Sequence, residues 1–409
     1  VSVLSMRSLR DRWSGHVCLA ALPVATVEHL IAIDRQASAA GMTTCYLTFG
    51  NSNFDLDARA IEGIAKATVV QDAEQLRRHV ADSRSAAVFL QSPYPEHYPA
   101  WFFDCADSFS LAYAGYGLPL STWTHGHFRT DPILASSYLL AAGKYELDGY
   151  AANSPNADVL LSGNPLLWEL RDRLSHAGPA RDDGAKLLWA PHWTKTLWDG
   201  SRGYSRWQES AGAMLDWKKS RPSDHLVFRP HPIFKMALES YLDGATSVAH
   251  REAAKSIDMA TDGWAVEVIR ELLALPNVEV STSSMVDDIL RCDALVTDGI
   301  SIIAYWSATG KPLVVIRDSA SPRFNDDGEA LVSVAEVAAN GSEISEWLQK
   351  WSAGAVTASP GRAEASRRIH PTLASSPVDI WKAALPADTI VSRARRCWQP
   401  TRTPAQARH

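Results

Sequence analysis

Two α/β domains of the Rossmann-like kind, facing each other across a cleft, are what this sequence predicts. Three observations lead there. Short apolar runs alternate with helical patterns along most of the chain; the alternation breaks once, at the polar stretch SHAGPARDDGAK (175 to 186); and it resumes afterwards over a similar length. At 409 residues the chain also exceeds one ordinary core. The expected division is residues 1–175, residues 176–385 and a basic tail over 386–409.

In the first half, HVCLAAL (16 to 22) reads as a strand. Thr26 then stands where a cap belongs, before a helix through Val27, Leu30, Ile31 and Ala37 that stops at Gly41. TTCYLTF (43 to 49) is the next strand, followed by TVVQ (68 to 71), a helix over AEQLRRHVAD, and the strands AAVFLQ (86 to 91), FSLAYAGY (109 to 116) and DVLLS (158 to 162). Beyond the polar stretch, LLWA (187 to 190), HLVF (225 to 228), VEVST (278 to 282), ALVTD (294 to 298) and LVVI (313 to 316) are strands, with helices near SRWQESAGAMLDW and VIRELLALP. Strand and helix in alternation imply βαβ units and a parallel sheet in each half.

Composition narrows the class. Hydrophobic residues are 46% and charged residues 21%, the balance of a globular chain rather than a disordered one. The net charge of −6 argues against general nucleic-acid binding, yet permits a local basic site for an anion. Five widely spaced cysteines without a C-x-x-C pair suit a reducing compartment. No run approaches the roughly 18 apolar residues of a spanning helix, so a cytoplasmic location is expected. The tail SRARRCWQPTRTPAQARH has two readings: a frayed, solvated end, or a peripheral contact with the cytoplasmic face of the membrane.

The chemistry-bearing residues gather just past the strand ends, where open α/β sheets collect ligands. STWTHGHF (121 to 128) reads as a flexible loop carrying His125 and His127 around Gly126. WAPHWTK (189 to 195) offers His192 and Thr194. In HLVFRPHP the strand stops at two prolines that bracket His231 beside Arg229, a pairing suited to oxyanions. VTDGIS (296 to 301) brings Thr297, Asp298 and Ser301 to a helix start, and TGKP (309 to 312) places Lys311 at the next turn. Each has a plainer reading as a cap, a turn or a surface charge. The P-loop, H-E-x-x-H and G-x-S-x-G signatures are missing, so these segments do not spell a P-loop nucleotidase, a zinc hydrolase or a serine hydrolase.

Taken in order, LLSGNPLLWEL (160 to 170), FRPHP (228 to 232) and CDALVTDGISIIAYWSATGKPLVVI (292 to 316) resemble the CDP-glycerol glycerophosphotransferase family of teichoic-acid and capsule polymerases. The resemblance covers about half the chain, residues 121 to 330. It implies a GT-B fold needing neither metal nor other cofactor, with a CDP-linked donor in the second domain and a polymer or lipid-linked acceptor reaching in from the first. By the same resemblance His231 and Arg229 contact the donor pyrophosphate, Thr297, Asp298 and Ser301 hold the cytidine diphosphate region, and His125 takes the proton of the acceptor hydroxyl. Where the family shows Trp-His-Gly, this chain reads Trp123, Thr124, His125, Gly126. The implied activity is transfer of glycerol phosphate, or a related polyol or sugar phosphate, to a hydroxyl of a cell-envelope polymer. A GT-B glycosyltransferase, a nucleotide-sugar 2-epimerase and an inactive assembly partner are the alternatives.

Overall fold

The computed structural model describes residues 16–20, 27–49, 67–83, 85–176, 184–197, 200–245, 247–257 and 263–371. The Thr26 cap, the middle of the polar stretch (177–183) and the basic tail lie outside the described residues.

Strands β1 (His16–Ala20), β2 (Thr43–Phe49), β3 (Ala67–Val70), β4 (Ser85–Leu90), β5 (Leu111–Ala114), β6 (Tyr138–Ala141) and β7 (Asp158–Leu161) form one sheet in the order 3-2-1-4-5-6-7. Strands β8 (Lys186–Ala190), β9 (His225–Phe228), β10 (Val278–Val280), β11 (Ala294–Thr297), β12 (Leu313–Ile316) and β13 (Glu336–Ala338) form the other, in the order 10-9-8-11-12-13. Every pairing is parallel. The strand order reverses between β1 and β4 in the first sheet and between β8 and β11 in the second. These are two Rossmann-like domains across a cleft, the GT-B arrangement.

Because successive side chains point to opposite faces, each strand feeds two cores. In the second sheet Leu187, Trp189, Leu226, Phe228 and Val296 enter one buried cluster. Their neighbours Leu188, Ala190, Val227 and Leu295 enter the other. That second cluster is shared between the halves: Leu118, Leu120, Leu166 and Leu167 of the first half are buried in it with Ile303, Tyr305 and Trp306 of the second. Full burial of one such side chain is worth about 1.5 to 3 kcal/mol, so the halves are joined by apolar packing as well as by the chain.

Most elements stand where the apolar runs put them. The helix Val27–Ala39 ends as read: Gly41 has φ +84°, and Met42 N–H returns to the Ala37 carbonyl at 3.0 Å. Two differences matter for the site. The expected flexible loop around Gly126 is a short helix, Thr124–Phe128. A Cβ on Gly126 would lie 2.3 Å from the Trp123 ring, so this glycine serves close packing rather than mobility. And β6, the run YLLA, is a strand the pattern did not announce.

Candidate functional site

The second sheet's switch point is built by the loops after β8, β9 and β11. Arg229 N–H bonds to the Trp189 carbonyl at 2.8 Å and His231 N–H to the Pro191 carbonyl at 3.1 Å, which ties the second loop to the first. The imidazoles of His192 and His231 consequently stand 5.2 Å apart between ring centroids, with the Trp193 ring 6.0 Å from His231.

Both imidazoles are fixed in the same way. His192 Nδ1 accepts the Thr194 amide at 3.2 Å, and His231 Nδ1 accepts the Ile233 amide at 3.3 Å as the cap of the helix Pro232–Leu242. An acceptor Nδ1 carries no proton, so in each neutral ring the proton resides on Nε2, which is left to donate. Burial holds the His192 pKa down to about 4. His231 is held well below the ordinary range by burial and by the neighbouring His192. Near pH 7 this pair therefore offers two neutral N–H donors.

Thr297, Asp298 and Ser301 turn inward and support the loops. Thr297 Oγ1 donates to the Ala190 carbonyl at 2.6 Å and accepts the Gly299 amide at 2.8 Å. The buried Asp298 carboxyl accepts the backbone amides of His192 and Arg206. Burial still pushes its pKa well above the usual carboxylate range, against the effect of the His192 amide. Ser301 Oγ donates to the Leu118 carbonyl at 3.2 Å, across the two halves. Their side chains thus reach the site through the backbone they hold.

Arg229 and Lys311 are not brought to the imidazole pair as free cations. The Arg229 guanidinium bonds Asp288 at 2.8 Å, the Ser283 carbonyl at 2.8 Å and Glu28 of the first half at 3.0 Å. Glu28 also accepts the Met285 amide at 2.8 Å, making Arg229 part of a brace between the halves rather than an open anion contact. Lys311 stands at the opposite edge of the sheet, two residues before β12. Its ammonium donates to the carbonyls of Ile289, Leu290 and Cys292 at 2.9, 3.0 and 2.6 Å, capping the end of the helix Met285–Arg291. The expectation that it faces the donor is corrected by that position.

From the first half, the segment after β5 approaches the same region. Gly117 packs so closely that a Cβ there would come 3.0 Å from Ser301 Oγ. Ser121 forms an antiparallel bridge with Phe324, and Asn325 bonds the Pro119 and Leu120 carbonyls. His125 is exposed on the short helix that follows. His127 is half-buried, with Nε2 at 3.0 Å from Ser121 Oγ and Nδ1 at 3.2 Å from the Tyr145 hydroxyl, and burial lowers its pKa to about 4.

Several contributors carry no sequence signature. Arg206 is 1% exposed and pairs with Asp318 at 2.5 Å and Ser321 at 2.9 Å, so it anchors the loop whose amide Asp298 holds. Tyr94 stacks on Trp123 at 6.1 Å. His29 is buried beside Tyr305 and Tyr116, and burial lowers its pKa to about 3. Among the described residues no group of three or more His, Cys, Asp or Glu converges as a metal site. Nor is any helix there long and apolar enough to cross a membrane.

No protein-family profile and no curated protein matches the chain. Solved structures do. A UDP-GlcNAc 2-epimerase from Neisseria meningitidis, solved with UDP-GlcNAc, superposes with a TM-score of 0.51 at 12% identity, over 90% of this chain and 96% of that one. Another UDP-N-acetylglucosamine 2-epimerase gives 0.50 at 12% identity, over 90% and 93%. At such identity the likeness establishes the two-domain GT-B type fold.

Proposed function

We propose that this chain is a transferase that moves the activated alcohol or sugar half of a nucleoside-diphosphate-linked donor to an acceptor hydroxyl. The observation that carries this reading is the pair His192 and His231, each locked by a backbone amide on Nδ1 so that Nε2–H donates, at the switch point of the second sheet. Two fixed donors 5.2 Å apart between rings suit the oxygens of a diphosphate. Little ordering remains to occur when the ligand arrives. His125, exposed on the first-half helix, is the proposed base for the acceptor hydroxyl. The resemblance to the glycerophosphotransferases supplies the finer version: a CDP-linked glycerol phosphate donor and an envelope-polymer acceptor.

A second reading, a nucleotide-sugar 2-epimerase, is favoured by the fold shared with the two epimerases. Epimerisation at carbon asks for acid and base groups on both faces of the sugar. Here Asp298 is committed to two amides, and Glu28 to Arg229 and an amide, so the carboxylates beside these loops are occupied. A thermal-shift panel of CDP-, UDP- and GDP-linked compounds, followed by turnover with and without a hydroxyl acceptor, decides between them. Nucleotide release only with acceptor supports transfer. Sugar turnover without acceptor supports epimerisation, and stabilisation without turnover supports a binding protein.

A further inference from the structure

Away from the imidazole pair, the second half carries an open groove of about 630 Å³ between three helices, Trp207–Ser220, Gly263–Leu273 and Gly341–Ser352. That volume is within the range of about 300 to 1,000 Å³ common for ligand sites. The groove lies toward the carboxyl edge of the sheet, because Gln208, Glu209, Trp264, Gly341 and Ser342 all belong to the first turns of their helices. The helix beginning at Trp207 follows directly on Arg206, whose amide is held by Asp298 of the donor loops.

Its floor is kept low by small residues. A Cβ on Gly212 would meet nothing within 4 Å, so the space above it is empty. Gly341 lets the two helices approach, since a Cβ there would come 2.8 Å from the Glu209 carbonyl. One wall is the indole of Trp264, 60% exposed; outside the lining but next to it stands Tyr241, 42% exposed, its hydroxyl 3.8 Å from a Cβ position on Gly263. Few large apolar side chains are so exposed among the described residues, and two of them adjoin here.

We infer that this groove binds a neutral saccharide chain. An exposed indole offers a flat apolar face for sugar C–H groups, while serine hydroxyls and carboxylates beside it take up the sugar hydroxyls. The charge of the lining favours a neutral ligand over a polyanion. It carries Glu209, shared with Arg202 at 3.0 Å and Arg206 at 3.6 Å, and the exposed Asp216, but no Lys or Arg of its own, so a phosphodiester polymer finds no free side-chain cation in the groove. Rested on the transfer reading, the inference names the acceptor class as a neutral glycan rather than poly(glycerol phosphate).

The test uses the full chain, titrated calorimetrically with cello-, chito- and maltohexaose and with a glycerol phosphate hexamer. At least one neutral hexasaccharide should bind. Trp264→Ala should weaken it about tenfold or more, the usual loss for a central aromatic anchor. Gly212→Leu should weaken it as much while keeping or raising thermal stability, because leucine favours a helix over glycine and fills only empty space. In both variants the thermal response to nucleotides should match the parent. No binding of any neutral hexasaccharide, binding unchanged by both substitutions, or a glycerol phosphate hexamer lost on the same substitutions would each overturn the inference. Absence of a nucleotide response in the parent counts instead against the transfer reading, and leaves the groove standing.

Discussion

The loops after β8 and β9 and the segment after β5 each bring two imidazoles to the carboxyl edge of a sheet, yet they hold them differently. His192 and His231 are fixed by backbone amides a fixed two residues ahead, so their donors are set by the local chain alone. His127 is fixed by side chains from distant elements, Ser121 and Tyr145, and His125 is exposed. The first arrangement is a rigid cradle, suited to a diphosphate whose shape does not change between substrates. The second leaves one imidazole accessible and one immobilised, which suits a part of the site that must accept and release a hydroxyl.

The sharpest break of that contrast is substitution of the two first-half histidines. His125→Ala should lower turnover by about 10² to 10⁴, the usual worth of a general base, with donor binding nearly intact. His127→Ala should act mainly on stability, since it removes a partner of Ser121 and Tyr145. An equal or greater loss of turnover in His127→Ala with His125→Ala harmless would reverse the assignment, and would place the extra Thr124 as a shift of the motif by one turn position.

Why the second half is the more legible follows from this same difference. HLVFRPHP and VTDGIS declare themselves because prolines end a strand and Asp-Gly turns into a helix, both local events that sequence records. Arg206, Tyr94 and His29 act through partners far along the chain, for which no local signal exists. Gly126 misled in an instructive way: glycine between two histidines suggests a mobile loop, whereas here it makes room for the Trp123 ring. The strand YLLA has no distinguishing signal, because a short apolar run reads equally as a buried strand or a helix segment. For Lys311 and Arg229 the sequence places a cation next to a strand, but which edge of the sheet it occupies, and which carboxylate or carbonyl it meets instead of a donor, depends on the assembled fold.

The imidazole pair proposed as the donor cradle should respond in a graded way. His231→Ala removes one donor to a charged ligand, a contact worth about 1.5 to 3 kcal/mol, so nucleotide-diphosphate affinity or transfer should fall about ten- to a hundredfold. His231→Gln keeps a neutral N–H donor and should fall in between. Parent-like binding by both variants would leave the RPHP turn as a strand terminator.

A pH titration of stability sharpens the contrast further. Burial lowers the pKa of His127, His192 and His370 to about 4 and of His29 to about 3, against an ordinary value of about 6.5. Between those values the unfolded chain binds protons that the native state refuses, so stability is complete above pH ~6.5 and is lost as pH falls toward 4. Glu146 has the opposite sign. Burial raises its pKa to about 7, so the native state keeps a proton the unfolded chain releases, and it adds stability as pH falls from 7. Asp298 and Asp327, also raised by burial, share the sign of Glu146, while His231 and His97, also lowered by burial, join the other rings. Six imidazoles outweigh three carboxyls, and the melting temperature should drop between pH 7 and 5. His370→Gln should flatten the profile; a profile already flat in the parent would contradict the burial of these rings.

The smallest effect on binding is expected at Lys311, and it separates the two edges of the second sheet. Its ammonium satisfies three carbonyls at the end of the helix Met285–Arg291, next to Cys292, whose thiol burial pushes up to about 12. Lys311→Met keeps the length of the side chain but leaves those carbonyls without their donor. Urea denaturation should therefore register a loss of about 1 to 3 kcal/mol. Nucleotide affinity should not change, because β12 runs from this edge toward the cleft and its whole length separates Lys311 from the imidazole pair. A variant that keeps its stability but loses nucleotide binding would return this lysine to the donor site, and with it the reading that the amino edge of the sheet has no part in recognition would fail.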